Sequence, residues 1–231
     1  MELNEIDVDF NFFDDTPPGK DPDSHSPTLR RYHQLLWSKP LPDGRPFVLR
    51  AGRARSPYLV YEADGTKIVL GSDTIATRHR KKLSRLYAQI PDEVNDAFLQ
   101  RSYTICGFMI FPVSRGSLNQ NRGTHPRVQD RWDLTLEASR RFYDGGTSPL
   151  ATTLDRYSNF FSLFGSFDGY TEHFHLGDFV DTSGAVRFLL PFDDFKSPSL
   201  PSDLPTYARY RLDSLKMFEA RRLRILNAIS S

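Results

Sequence analysis

The chain has 231 residues, of which 39% are hydrophobic and 13% aromatic, and its formal net charge is +1. A chain of this length buries most of the apolar surface that its unfolded form exposes, and the near-neutral balance excludes a global pull toward nucleic acid or a membrane surface. No apolar run approaches the roughly 20 residues a membrane span needs, and the single cysteine, Cys106, has no internal partner for a disulfide.

The first segment, "MELNEIDVDF", is acidic and lacks an apolar signal core, so the expected setting is a reducing cytoplasm with no membrane partner. Residues 1–23 hold eight acids against Lys20, whereas residues 50–85 hold nine bases against three acids. Opposite blocks in one chain attract each other, and an acidic N-terminal arm over residues 1–27 is expected to lie on a basic surface.

In "SPTLRRYHQLLWSK", Ser26 is placed to cap a helix and Pro27 to occupy its first position. Leu29, Tyr32, Leu35 and Leu36 recur at helical spacing. "FVLRAG" and "SPYLVYEADGTKIVLGSD" predict strands, the second folded on itself at the Asp64–Gly65 hairpin signal. "TRHRKKLSRLYAQI" returns to helical spacing through Leu83, Leu86, Tyr87 and Ile90, and "DEVNDAFLQR" restarts a helix after Pro91. The continuous apolar run "SYTICGFMIFPV" predicts a central strand.

A polar loop, "SRGSLNQNRGTHPRV", then leads to a helix with Val128, Trp132, Leu136 and Phe142 on one face. Thr124 is its expected cap and Pro126 lies in its expected first turn, while Gly145 and Gly146 stop it. "LATTLDRYSNFFSLFGSFDGY" is aromatic and begins helical, "AVRFLLPFDDF" predicts a strand, and residues 206–229 form a long basic helix with Leu212, Leu215, Phe218, Ile225 and Ile229 inward. The whole, residues 1–231, reads as a single α+β domain. Its central sheet is mostly antiparallel or mixed, flanked by helices, with the long helix at the C-terminus.

The polar loop is the densest cluster of donors in the chain. Arg115, Arg122 and Arg127 are candidate anion-holding groups, because guanidinium forks grip phosphate bidentately and a following helix start adds exposed amides. Asn119 and Asn121 are candidates to orient the ligand, and His125 and Glu137 are the candidate proton-transfer groups. No Gly-Lys-Ser/Thr ending and no dinucleotide glycine triplet is present, so a phosphate-bearing ligand, a nucleotide or nucleic acid, is as far as the pattern reaches. The plainer alternative is a solvated loop whose arginines pair with carboxylates elsewhere.

Other candidates carry less. Asp130, Asp133 and Glu137 share one side of a helix, where salt-bridged surface explains the spacing more simply than a metal or general-base face. His173 and His175 in "TEHFHLGDF" share a face if that segment is a strand, yet two histidines fall short of a zinc set. Cys106 sits in an apolar run as a core thiol. "RRYHQLLWSK" and "RHRKKLSRLY" interleave bases with aromatics, as single-strand-binding surfaces do. The aromatic segment 157–174 and the basic C-terminal helix suit a partner surface, which keeps open a non-enzymatic interaction subunit of a defence or regulatory assembly. Neither a cofactor nor an oligomeric state is specified.

"RWDLTLEASRRFYDGGTSPLATTLDRYSNFFSLFGSFDGY", with "LRRYHQLLWSKPLPDG" and "LLPFDDF", resembles a bacterial family catalogued only as a domain of unknown function. The resemblance runs from about residue 7 to the final helix. It implies one domain and carries over no reaction, cofactor or site residue.

Overall fold

The computed structural model describes residues 3–52, 57–76, 82–113 and 117–230. The acidic segment is packed rather than draped. Ile6, Val8 and Phe12 are buried, the Phe12 amide donates to the Tyr103 carbonyl at 3.0 Å, and Asp9 pairs with Arg101 and Arg222 while Glu5 pairs with Arg31. Alternation of acids with Val and Phe is what lets one side insert and the other stay wet. Those partners are not the 50–85 block, of which Arg53, Arg55, Arg78, Arg80 and Lys81 lie outside the described residues.

Helix α1 (Pro22–His25) leads into α2 (Pro27–Trp37). The Ser26 hydroxyl accepts from the Leu29 amide at 3.0 Å and donates to Asp15, as the capping pattern predicts. Strands β1 (Leu49–Ala51), β2 (Leu59–Ala63) and β3 (Thr66–Thr74) follow. The Asp64–Gly65 turn has φ of 51° and 74°, the two left-handed residues a tight hairpin needs. Next come α3 (Ser84–Tyr87), α4 (Asp92–Ser102) and β4 (Phe108–Pro112). The sheet is antiparallel throughout, in the order β1-β2-β3-β4.

The "TICGFMIFPV" strand is therefore at the end of the sheet, not its centre. All five residues of β4 are nonetheless buried, and a side chain from the C-terminal helix, Arg221, donates to the Cys106 and Phe108 carbonyls at 3.0 and 2.8 Å. An edge covered by protein reads like a central strand.

The polar loop is also partly helical. Ser117 caps α5 (Leu118–Thr124) by accepting from the Gln120 amide. Thr124 thus ends a helix instead of starting one, and Pro126 lies in the turn that follows. Helix α6 (Trp132–Tyr143) begins at Trp132. It ends in a Schellman pattern: the Gly146 amide donates to the Arg141 carbonyl at 2.7 Å and Gly145 takes φ of 69°. Then come α7 (Ala151–Arg156), α8 (Ser158–Phe161) and α9 (Phe167–His173). "TEHFHLGDF" is the end of α9 and a turn, not a strand. "AVRFLLPFDDF" is irregular apart from one bridge, Val180–Val186.

Helix α10 (Leu204–Ile229) is capped by Asp203, whose carboxylate accepts from Thr206. Its inward stripe is Tyr207, Tyr210, Arg211, Ser214, Phe218, Arg221 and Ile225. Leu212 is 55% exposed, contrary to the expected register. The main core joins the sheet to Phe160, Phe161, Phe164, Tyr170 and Phe174, so the aromatic segment is interior. The described chain is 48% helix and 12% strand, an α+β fold, and none of its helices is long and apolar enough to cross a membrane.

Candidate functional site

Between α5 and α6 the chain turns through His125–Arg131. Gln129 and Asp130 take left-handed φ of 45° and 59°, and the Asp130 amide donates back to the Arg122 carbonyl at 2.9 Å. Arg131 then forms a two-pronged pair with Asp133, at 3.1 and 2.5 Å, and donates to the Ser199 carbonyl. Asp133 also accepts from the Leu189 amide at 2.9 Å. This pair ties the 189–199 connection to the start of α6, with both side chains buried.

The tie places a cavity of about 490 Å³ against the turn, lined by His125, Arg127, Arg141, Thr147, Ser148, Asp194 and Phe195 among others. Arg141 is held in place: it donates to Glu137 at 2.8 Å, to Asp194 at 2.5 Å and to the Thr147 carbonyl, and its guanidinium lies 5.0 Å from the Phe195 ring centre. Asp194 and Phe195 adopt φ of 62° and 57° to make these contacts. Strained backbone of this kind persists only where its surroundings over-determine it. Arg127 is exposed and has no carboxylate within ion-pair distance among the described residues. His125 accepts from the Arg127 amide at its Nδ1, 3.2 Å away, which places the ring proton of the neutral form on Nε2. Burial and then the Arg127 charge lower its pKa, so the imidazole is a neutral donor at neutral pH.

Of the residues singled out in the sequence, His125 and Arg127 line this cavity. Glu137 stands behind it, with both oxygens taken by Arg140 and Arg141. Burial raises the Glu137 carboxyl, but the two arginine hydrogen bonds outweigh it and hold the pKa below the usual range, which makes it a counter-ion and a weak base. Arg122 points elsewhere. It is fully buried, donating to Asp130 at 3.1 Å, to Asp73 at 3.4 Å and to the Thr74 carbonyl at 3.1 Å. Asn121 donates to Thr153 on α7, and Asn119 to the Ser72 carbonyl of β3. Arg115 lies outside the described residues. Residues the sequence did not single out for the site are Arg141, Thr147, Ser148 and Asp194. The i, i+4 spacing that sets Glu137 and Arg141 on one helix face is the signal the sequence holds for Arg141.

The other candidates resolve by their contacts. Asp130, Asp133 and Glu137 each serve different arginines, and no cluster of three or more metal-ligating side chains occurs among the described residues. Cys106 is buried, and burial pushes its thiol pKa up, away from nucleophile territory. Tyr32 and Trp37 are buried, so the aromatics of "RRYHQLLWSK" do not offer rings to a nucleic-acid base.

Residues 6–225 match the family described as Family of unknown function (DUF6994). No curated protein and no solved structure matches the chain.

Proposed function

Since the chain belongs to this family of unknown function, which assigns no activity, we propose from the geometry that the cavity at the 125–127 turn binds a small phosphate-bearing ligand, a nucleotide or a nucleic-acid end. The observation that carries this is Arg127, an exposed guanidinium without an ion-pair partner among the described residues, sharing one cavity with Arg141 and His125. A free cation, a fixed cation and a neutral N–H donor around a space of about 490 Å³ suit an anion of nucleotide size. The Thr147 and Ser148 hydroxyls add donors at the same wall. Phe195 is buried under Arg141 and offers no face for a base, so the phosphate is the part gripped.

Thermal melting with orthophosphate, pyrophosphate, nucleotides and short oligonucleotides tests this. A ligand at 100 times its Kd adds about 2.7 kcal/mol of stability, and Arg127→Ala should abolish the shift while leaving the unliganded melting point in place. If no phosphate compound raises the melting point, or the shift survives Arg127→Ala, the assignment fails.

Support for the other class, a non-enzymatic interaction subunit of a defence or regulatory assembly in a reducing cytoplasm, comes from one apolar groove. Between α4 and α10, Ile90, Val94, Phe98, Leu212 and Leu215 line about 310 Å³, with Val94 50% and Leu212 55% exposed. Solution mass by light scattering, compared with that of Leu212→Asp, discriminates: a monomer at all concentrations weighs against self-association through the groove.

A further inference from the structure

Between the end of α2 and α9, a different cavity of about 430 Å³ is lined by Lys39, Pro40, Leu41, Pro42, Gly169, Glu172 and His173. Lys39 is half-buried just beyond α2, and its ammonium has no carboxylate within ion-pair distance among the described residues. Its hydrogen-bond partner is instead His175 Nε2, at 3.2 Å. An ammonium only donates, so His175 is neutral with its proton on Nδ1. The Lys39 nitrogen also lies 5.9 Å from the Trp37 ring centre. His173, one wall away, bonds through Nε2 to the Trp37 carbonyl at 3.2 Å, and its ring packs on Phe47 and Phe164. His175 holds this place in a left-handed conformation, φ 52°.

A lysine removed from water normally brings a carboxylate with it. Here a neutral imidazole stands in that position, so among the described residues the charged amine has no direct ion-pair partner and feels Glu172 only from a distance. Burial accordingly lowers the Lys39 pKa to about 8, against a small opposing pull from Glu172. Burial and then the Lys39 charge keep His173 and His175 at about 3. At pH 7 roughly a tenth of Lys39 is then the free amine, the nucleophilic form, against well under a hundredth for an ordinary lysine.

We propose that Lys39 is a reactive amine that captures a small uncharged carbonyl compound, an aldehyde, as an imine in this cavity, with the neutral His175 holding the amine through its Nε2 lone pair. The neutral Nζ adds its lone pair to the carbonyl carbon, and the C=O π pair moves to oxygen, which takes the first of the two protons that nitrogen sheds and gives the carbinolamine. Solvent carries the second nitrogen proton to the hydroxyl, which departs as water while the nitrogen pair left behind closes the C=N bond. One aldehyde and one amine thus give one imine and one water, with no other reactant. An uncharged partner is specified because Glu172 is the remaining ionisable group on the wall, and it repels a carboxylate. The Pro40, Leu41 and Pro42 wall suits a short apolar chain.

Reductive trapping tests it. The full-length protein is incubated with propanal and cyanoborohydride at pH 7.5, and the alkylated lysines are mapped by mass spectrometry. Lys39 should be labelled at least about tenfold faster than the exposed Lys20, Lys67, Lys196 and Lys216, as its free-amine share dictates. Glyoxylate, the charged counterpart, should label Lys39 more slowly than propanal. His175→Leu, which removes the acceptor that holds Lys39, should slow labelling of Lys39 while circular dichroism shows the fold intact, and His175→Gln, which keeps a hydrogen-bonding oxygen there, should recover part of the rate. Labelling spread evenly over the lysines, faster capture of glyoxylate, or an unchanged rate in His175→Leu would each overturn the proposal.

Discussion

Arg122 carries a guanidinium to full burial between Asp73 and Asp130, two carboxylates that still reach solvent. Its fork also satisfies the Thr74 carbonyl, and the group lies 5.1 Å from the Phe111 ring centre. Taking the cation away leaves two carboxylates facing each other beside an unpaired carbonyl. Arg122→Met should therefore cost about 3 kcal/mol in urea unfolding, and Arg122→Lys only somewhat less, because one ammonium does not replace a planar fork. A loss below about 1 kcal/mol would show that the pairs are replaced by water. In the sequence Arg122 looks like Arg115 and Arg127, donors in one polar stretch. What separates it is Asp73, 49 residues earlier, and no local spacing reports a partner that distant. Arg127, five residues on, stays outside because the chain has already turned, and that difference is what makes it the candidate ligand group.

Elements report themselves to the extent that their own side chains define them. The capped α2, the Asp64–Gly65 hairpin and α6 were legible because cap, turn and apolar period all sit within each segment. Helix α5 was not, since Leu118 is its sole apolar residue and it docks chiefly through Arg122. The stripe of α10 was misplaced for a related reason: Arg211 and Arg221 face inward, so apolar counting rotates the helix toward Leu212. Residues 186–195 read as a strand but, past the single Val180–Val186 bridge, take no ladder partner among the described residues. The tight turn Ile105–Gly107, between α4 and β4, shows how little room such joints leave. A Cβ on Gly107 would sit 2.1 Å from the Ser102 carbonyl oxygen, a backbone atom that cannot rotate away. Gly107→Ala should cost more than about 3 kcal/mol, whereas Gly145→Ala, at positive φ in open space, should cost only about 1 kcal/mol. Thermal denaturation followed by circular dichroism checks the pair, and equal losses would contradict the packing described.

Among the described residues three histidines are withdrawn from water, His33 and His173 buried and His175 half-buried, and this governs the response of the whole molecule to acid. His33 lies buried between the Trp37 indole, which donates to its Nδ1 at 2.9 Å, and the Ser72 hydroxyl at its Nε2. Burial, then the Arg221 charge, lowers its pKa to about 3, and His173 and His175 sit at about 3 as well. Unfolded, each titrates near 6.5, so between about pH 6.5 and 3 the unfolded chain binds protons that the native one refuses. The sign follows: stability is fully present above about pH 6.5 and falls as pH drops, by up to about 1.4 kcal/mol per unit for each histidine. Asp23 acts the other way. Burial, with Asp73 and Asp21 nearby, raises its pKa, so its contribution is present at low pH and is lost as pH rises through the folded value. Asp9, held at about 2 chiefly by its hydrogen bond to Arg222, adds acid sensitivity only below about pH 4. Between pH 6.5 and 4 the histidines outnumber the single opposing carboxyl. Calorimetric unfolding at pH 5 in buffers of different ionisation enthalpy should register a net uptake of roughly two protons, and His33→Gln should lower it by about one. Net proton release at that pH would mean that the three imidazoles are charged in the folded state, and with charged His173 and His175 the free-amine character of Lys39 would fail too.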